Sequence, residues 1–348
     1  MTFRYIGSKA RLVDQISKHI GQPSNSSGFF VDSFCGTGAV AEAAAVLGWN
    51  IRLNDHLNAA IITAEARLLG YRQVPFKKLG GYEKTIEKLN SLTPKGSFIW
   101  RTYSPASLGY CSIERRYFSE ANASSIDSIR EQIGDWRGSG TISEVEERLL
   151  IADLFSALNR VANIAGTFGC FLSKWTSQSQ NQIAMRCREL KNTRIHVEAT
   201  VGDVFEVPNR VEDLVYLDPP YTKRQYASYY HILETVALGD EPSVEGVAGL
   251  RPWKDKASAF CYKTRALSTL SQLVKTVKAS RILLSYSSQG HIKMDDMKTE
   301  LSAVGKYTMH PLGTIGRYRP NTTASNASSD VNEYLVDIER TIDGTQKH

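Results

Sequence analysis

Apolar and polar positions along this chain switch between the period of a strand and that of a helix, and the switches mark its elements. Gly28-Phe29-Phe30-Val31-Asp32 is a short apolar, β-branched run ending in an acid; the turn Ser33-Phe34-Cys35-Gly36-Thr37-Gly38 follows it, and then the alanine-rich Ala39–Leu47. That pattern predicts strand, turn and helix. Trp49–Asn54 predicts a second strand and Ala59–Leu69 a second helix. Such a β-α-β-α opening is the unit of a doubly wound α/β fold with a parallel sheet. From about residue 70 to 199 the pattern turns helical and loop-rich. Its breaks are Gly80-Gly81, Thr93-Pro94, Ser104-Pro105 and Gly138-Ser139-Gly140, and it predicts helices over Ala123–Trp136 and Ile142–Asn163. Strand pattern returns at Ile195–Gly202, Leu214–Leu217 and Arg281–Ser285, accompanied by helices at Tyr226–Leu238, Thr264–Lys278 and Met294–Ala303. Tyr307–Leu312 and Glu333–Ile338 predict an antiparallel hairpin, joined by a Ser-, Thr- and Asn-rich connection over 313–332. The expected organisation is one α/β domain built from 1–66 and 201–348, interrupted by an inserted, mostly helical domain at 67–200.

Composition narrows the function classes. At 348 residues, 42% hydrophobic and 22% charged, the chain can bury one sizeable core or two modest ones. The longest small-and-apolar stretch, Gly38–Trp49, is interrupted by Glu42 and too short to span a bilayer, and no apolar run follows Arg4, Lys9 and Arg11 as it would in a secretory signal. A cytoplasmic protein with no membrane partner is expected. Cys35, Cys111, Cys170, Cys187 and Cys261 form no C-x-x-C pair, which argues against a zinc site or a disulfide framework. The net charge of +6 falls entirely within 67–200, where 19 Lys and Arg stand against 13 Asp and Glu. A localised cationic surplus suits a polyanion such as nucleic acid, because each cation beside a phosphate releases a counterion. A solvated surface of ordinary helices is the competing reading.

Candidate chemistry concentrates where strands end. Asp218-Pro219-Pro220-Tyr221 directly follows the apolar run Leu214–Leu217, which puts an acid at the mouth of a parallel sheet, where open α/β folds bind ligands. The Asp218 carboxylate can accept one hydrogen of an exocyclic amine and the carbonyl of Pro219 the other. Two acceptors on one NH2 favour a tetrahedral nitrogen whose lone pair attacks a methyl group, and Tyr221 offers a face for a flat base. By itself the tetrapeptide reads better as a tight turn whose Asp caps the next helix, and the strand before it together with a second signal reverses that preference. The second signal is Asp32-x-Phe34-x-Gly36-x-Gly38, a glycine turn of the kind that lets a cofactor approach the backbone. Asp55, at the end of the next strand, stands where such folds place an acid for ribose hydroxyls. Glu42 and Ala43 occupy the region of the third glycine of a nicotinamide fingerprint, and no Walker lysine is present. The pattern therefore favours another adenosine ligand over NAD or ATP.

Taken in order, Tyr5-Ile6-Gly7-Ser8-Lys9, Asp32 to Gly38, Asn54-Asp55, Gly202-Asp203-Val204 and Asp218 to Tyr221 resemble the D12 class of DNA adenine-N6 methyltransferases, the α-arranged group of S-adenosylmethionine-dependent amino-methyltransferases. The resemblance continues through Tyr117-Phe118, Asn159 to Asn163, Arg224-Gln225-Tyr226, Tyr230 to Glu234 and Leu284-Ser285-Tyr286, so it covers most of the chain. It implies a Rossmann-like methyltransferase sheet and S-adenosylmethionine as cofactor, with S-adenosylhomocysteine as product and no metal. Tyr5 and Lys9 would lie near the methionine end of the cofactor, Asp32 near its α-amino group, and Phe34, Gly36 and Gly38 in the cofactor loop. Asp55 would take the ribose hydroxyls, while Asp203 and the backbone of Val204 would read the adenine ring. Asp218, Pro219, Pro220 and Tyr221 would hold an adenine flipped out of duplex DNA, since the amine of a stacked base cannot reach such a pocket.

Residues 67–200 resemble the family's target-recognition insertion. Arg115, Arg116, Arg160, Asn163 and Lys174, with Lys223, Arg224 and Tyr226 beyond the tetrapeptide, are the candidate DNA contacts; helix-surface pairing competes for Arg160 and core packing for Tyr226. His231, on an apolar helix face, reads as a packing histidine. The expected protein is a site-specific DNA methyltransferase of a restriction-modification pair, with double-stranded DNA and a cognate endonuclease as partners. Cytosine-N4 methylation is the alternative within the chemistry. A catalytically idle DNA-binding subunit on the same fold, or a nicotinamide oxidoreductase, are the alternatives outside it.

Overall fold

The computed structural model describes residues 5–191, 195–315 and 331–340. Most of the 313–332 connection lies outside the described residues. The chain divides into two compact units. One comprises 7–65, 195–225 and the described residues from 256 onward; the other comprises 5–6, 66–191 and 226–255.

The first unit is built on a seven-stranded sheet. Its strands are β1 (Phe29–Asp32), β2 (Asn50–Asp55), β3 (Val197–Val201), β4 (Leu214–Leu217), β5 (Arg281–Ser287), β6 (Lys306–Ile315) and β7 (Val331–Glu339). The spatial order is β3-β2-β1-β4-β5-β7-β6. The first five strands are mutually parallel, and β7 inserts antiparallel between β5 and β6. This is the expected mainly parallel Rossmann-like sheet, with the last two strands antiparallel. The predicted hairpin opens onto the sheet through its second strand: β7, not β6, takes the ladder of β5. Leu214–Leu217 is buried at every position, as a strand covered on both faces requires.

Helices α1 (Val13–Ile20), α2 (Ala39–Val46) and α3 (Asn58–Leu68) accompany the first strands. One face of the sheet buries Val31, Val215, Leu217, Ile282, Leu284 and Val336 together with apolar residues of two later helices, Ala266–Thr276 and Met294–Leu301. Each such fully buried aliphatic side chain stabilises by roughly 1.5–3 kcal/mol relative to exposure.

Glycine is required at position 38 for packing. Gly38 has φ +72°, and a Cβ there would stand 2.7 Å from the Cα of Ala64, so the glycine lets α3 close on the loop after β1.

The second unit is helical: α4 (Tyr82–Asn90), α5 (Phe98–Tyr103), α6 (Leu108–Cys111), α7 (Glu120–Gly138), α8 (Glu144–Val161), α9 (Tyr226–Tyr229) and α10 (His231–Leu238). Ser143 and Glu146 close a reciprocal capping box at the start of α8. Residues 226–255, grouped with the sheet on sequence, pack here instead. The reason is burial: His231 packs edge to face against the rings of Tyr103 and Tyr117, its Nε2 donates to the carbonyl of Phe168 at 2.8 Å, and Arg130 donates to the carbonyl of Val236. The predicted helix over 226–238 is interrupted at Tyr230. No helix among the described residues is long and apolar enough to cross a membrane.

Candidate active site at the carboxyl end of the sheet

Because β1, β2, β3 and β4 are parallel, the residues that end them share one edge of the sheet. The register pairs Asp32 with Tyr216, so Asp218 lies just past the end of β4 beside the end of β1, and Asp55 closes β2. This edge is knitted together by backbone and amide bonds. Ser33 N–H donates to the Tyr216 carbonyl, Cys35 N–H to that of Asn54, and Gly202 N–H to that of Asp55. Asn54 Nδ2 donates to the carbonyls of Ser33 and Gly202, which ties the loops after β1 and β3 to β2. Four chain segments are thereby held in fixed register around the acids.

Each acid then differs in its surroundings. Asp32 is buried, and its Oδ1 has no hydrogen-bond partner among the described residues. Burial, reinforced by the charges of Asp218 and Asp55, raises its pKa well above the usual carboxylate range. Asp55 accepts from Gly36 N–H at 3.1 Å through one oxygen and from Leu57 N–H at 3.0 Å through the other. Gly36, at φ +49°, thus turns its backbone N–H onto the acid of the neighbouring strand. Asp203 is exposed and accepts from Phe205 N–H, capping the short turn that starts at Val204. The Val204 side chain belongs to the sheet core. Phe34 is half-buried and meets Phe260 edge to face. Cys35 is a buried, packed residue.

Asp218 is 15% exposed and pairs with the ammonium of Lys9 at 3.2 Å. Burial pushes its pKa up to about 6, Lys9 opposing and Glu333 adding to the shift. Lys9 is itself buried; desolvation works against its charge, yet Asp218, Tyr221 and Glu333 hold its pKa above the ordinary lysine value. Pro219 is buried and Pro220 half-buried. The Tyr221 ring lies 5.1 Å from Lys9 Nζ and packs at 60° against Tyr286. Its backbone carbonyl accepts from His291 N–H.

Sequence reasoning missed Glu333. It sits near the start of β7, is buried, and bonds Lys9 Nζ at 3.2 Å through Oε2, while its Oε1 accepts from the Tyr221 hydroxyl at 3.5 Å. Nothing local marks it, since a charged residue at the edge of a predicted hairpin strand reads as solvated.

The donor set suits a cationic ligand. Asp218 and Glu333 share the ammonium of Lys9, while Asp32, its pKa raised first by burial and then by the charges of Asp218 and Asp55, is relieved by a positive charge brought alongside. The unpartnered oxygen of Asp32 has room in its hydrogen-bond inventory for an ammonium. A separate cavity of about 370 Å³ runs between residues 204–210 and the helix Ala266–Thr276. Its walls include the mid-strand residues Arg52 and Val215 and none of these acids. Among the described residues no group of three or more His, Cys, Asp and Glu is arranged to hold a metal ion.

The remaining candidates separate by burial. Tyr5 belongs to the helical unit, where it stacks on Tyr230 at 4.3 Å, not to the unit that carries the acids. Tyr226 donates its hydroxyl to the carbonyl of Ile6. Two expected DNA contacts are corrected by the structure. Arg115 is 3% exposed and its guanidinium donates to the carbonyls of Val247, Thr102 and Gly246. Asn163 is fully buried and latches Arg116, Leu172 and Thr176 through their backbones. Both are framework residues because their side chains are themselves buried and their polar atoms are spent on neighbouring backbone groups. Arg116 is partly exposed and forks onto Glu114, and Arg160 is partly exposed with one nitrogen on the carbonyl of Ala184. Lys174, Lys223 and Arg224 are exposed. His231 is the packing residue expected; burial pushes its pKa down to about 3.

Comparison with known proteins identifies the family. A family model described as D12 class N6 adenine-specific DNA methyltransferase matches residues 5–299. The type II methyltransferase M.FokI of Planomicrobium okeanokoites is 30% identical over 97% of the chain, which covers 53% of that protein. The modification methylase StsI of Streptococcus sanguinis is 31% identical over 84% of the chain and 45% of its own length. The chain spans about half the length of these two relatives. By contrast, the type II methyltransferase M.NlaIII of Neisseria lactamica is 27% identical over 97% of the chain and 99% of its own length. The chain belongs to the D12 class of N6 adenine-specific DNA methyltransferases.

Proposed function

We propose that this protein transfers a methyl group from S-adenosylmethionine to N6 of an adenine flipped out of double-stranded DNA, as the modification enzyme of a restriction-modification pair acting in the cytoplasm. One observation carries the reading: the carboxylate of Asp218, at the carboxyl end of β4 and beside Asp32, accepts a nitrogen donor, Lys9 Nζ, at 3.2 Å. An amine N–H placed there meets the same acceptor. When bound, S-adenosylmethionine supplies a methyl group on a sulfonium, which leaves as the neutral thioether S-adenosylhomocysteine.

The chain's part is alignment and electrostatic support. Asp218 takes one N6 hydrogen and the Pro219 carbonyl the other, which turns the nitrogen lone pair outward. As the new C–N bond forms and the C–S bond breaks, N6 sheds one proton, and a carboxylate with a pKa of about 6 is suited to accept it transiently. Tyr221 offers its face to the extruded base. Asp32 holds the α-amino group of the cofactor with its unpartnered oxygen, Asp55 the ribose, and Asp203 with the Val204 backbone the adenine ring. The loop of Phe34, Gly36 and Gly38 supports this bed. Extruding the base costs roughly a few kcal/mol, which cationic contacts to the phosphates offset. Arg116, Arg160, Lys174, Lys223 and Arg224 are the residues proposed for those contacts, with Tyr226 bordering the flipped nucleotide. The names of the type II and modification methylases among its relatives support the pairing with an endonuclease.

The test is to incubate the purified protein with S-adenosylmethionine and unmethylated plasmid, then map modified bases by single-molecule sequencing. N6-methyladenine at one recurring sequence is expected. N4-methylcytosine, or no modification, overturns the assignment.

A further inference from the structure

Lys9 is paired with the acids at the sheet edge, and two carboxylates divide it. Asp218 Oδ1 and Glu333 Oε2 each lie 3.2 Å from its Nζ. Lys9 and Glu333 are both 4% exposed, so neither charge has bulk water as an alternative partner. Glu333 also receives the Tyr221 hydroxyl, and the Tyr221 ring lies within reach of the same ammonium. Its backbone is pinned opposite Ser287 in the β5–β7 ladder. Glu333 therefore ties Lys9 and Tyr221 to a rigid strand.

This geometry bears on how an amine reaches Asp218. In the structure Oδ1 of the acceptor faces a lysine nitrogen, which an N6 amine taking that oxygen displaces. A buried ammonium stripped of its only carboxylate is strongly disfavoured. With a second carboxylate at equal distance, Lys9 can give up Asp218 and remain paired. We propose that Glu333 is a positioning residue for methyl transfer: it gives the Lys9 ammonium a second berth, so that the substrate amine takes the place of Lys9 on Asp218. The proposal rests on the functional reading above and adds to it a residue that no motif contains.

The test compares Glu333→Gln and Glu333→Asp with the wild type, using plasmid DNA and S-adenosylmethionine. Gln keeps the side chain's shape while Lys9 keeps Asp218, and Asp keeps the charge with a shorter reach. Without the second berth Lys9 stays on Asp218, and kcat of Glu333→Gln is expected to fall about tenfold or more, the effect of one pKa unit's worth of interaction. The dissociation constant for S-adenosylmethionine, measured by calorimetry, stays within about threefold.

The pH profile separates positioning from mere support. Asp218 faces Lys9 from the N-terminal turn, Glu333 from β7, Tyr216 from its own strand, Asp32 from β1, and Tyr221. The charge of Glu333 raises the pKa of Asp218, so neutralising it moves the acid limb of kcat to lower pH, and Glu333→Asp returns the limb towards its wild-type place. An unchanged kcat in Glu333→Gln overturns the proposal. So does a lowered kcat with the acid limb in place, or a collapse of cofactor affinity in step with kcat, since either marks a purely structural residue. A wild-type protein that transfers no methyl group under the same conditions overturns the functional reading first and the proposal with it.

Discussion

Lys9 Nζ and Asp218 Oδ1 stand 3.2 Å apart although 209 positions separate them in the chain, and this pair puts a nitrogen on the carboxylate that is proposed to hold the substrate amine. The contact makes Asp218 an acceptor already shaped for N–H donors, and it ties the occupancy of that acceptor to protonation.

Asp218→Ala is expected to abolish methyl transfer while leaving S-adenosylmethionine affinity within a few fold. Asp218 must be ionised to accept, and burial pushes its pKa up to about 6, so kcat of the wild type should rise with pH through that value. Tritiated-methyl incorporation across a pH series measures both; near-normal turnover of the alanine variant removes Asp218 from the amine-holding role.

Cofactor binding should carry its own pH signature. Asp32 and Asp218 have folded-state pKa values raised above those of the unfolded chain, so their contribution to stability is present in acid and is lost as pH rises through the folded values. A cationic ligand favours the ionised acids and offsets that loss. The melting-temperature rise produced by a fixed S-adenosylmethionine concentration should therefore be larger at about pH 7.5 than at about pH 5. Equal shifts at both pH values would show that these carboxylates do not meet the cofactor's charge.

Gly38→Ala should destabilise the sheet unit through packing rather than through lost ligand contact. The added Cβ meets the backbone of Ala64 at 2.7 Å, and the residue's φ of +72° disfavours any side chain. A loss of roughly 1–3 kcal/mol in denaturant titration is expected. An unchanged midpoint combined with weakened S-adenosylmethionine binding would reassign the glycine to cofactor approach.

Exposed and buried cations should behave differently towards DNA. Lys223→Ala or Arg224→Ala is expected to weaken DNA binding and reduce the log-log salt slope by about one each, because each releases fewer counterions. Arg115→Met should leave the slope alone and lower the melting temperature, since its donors hold the carbonyls of Thr102, Gly246 and Val247. A flattened slope in Arg115→Met would return that residue to the DNA surface.

Strand positions, the parallel core and the acids at strand ends were legible in the residue pattern because each is a local property: an apolar β-branched run, a glycine turn, an acid directly after a strand. Parallel pairing then forces Asp32, Asp55 and Asp218 to one edge with no further information. What the chain pattern does not carry is which distant side chains meet. Glu333 reaches Lys9 across 324 positions because β7 inserts between β5 and β6, a choice made by long-range strand pairing. Likewise the packing of Gly38 against Ala64 emerges only once the neighbouring helix is in place, and Arg115 looks like a phosphate contact until its burial is known. Charge and motif are written residue by residue, but burial and partner are properties of the packed whole, so the sequence by itself determined the edge at which the chemistry gathers and only the tertiary structure decided which groups share it.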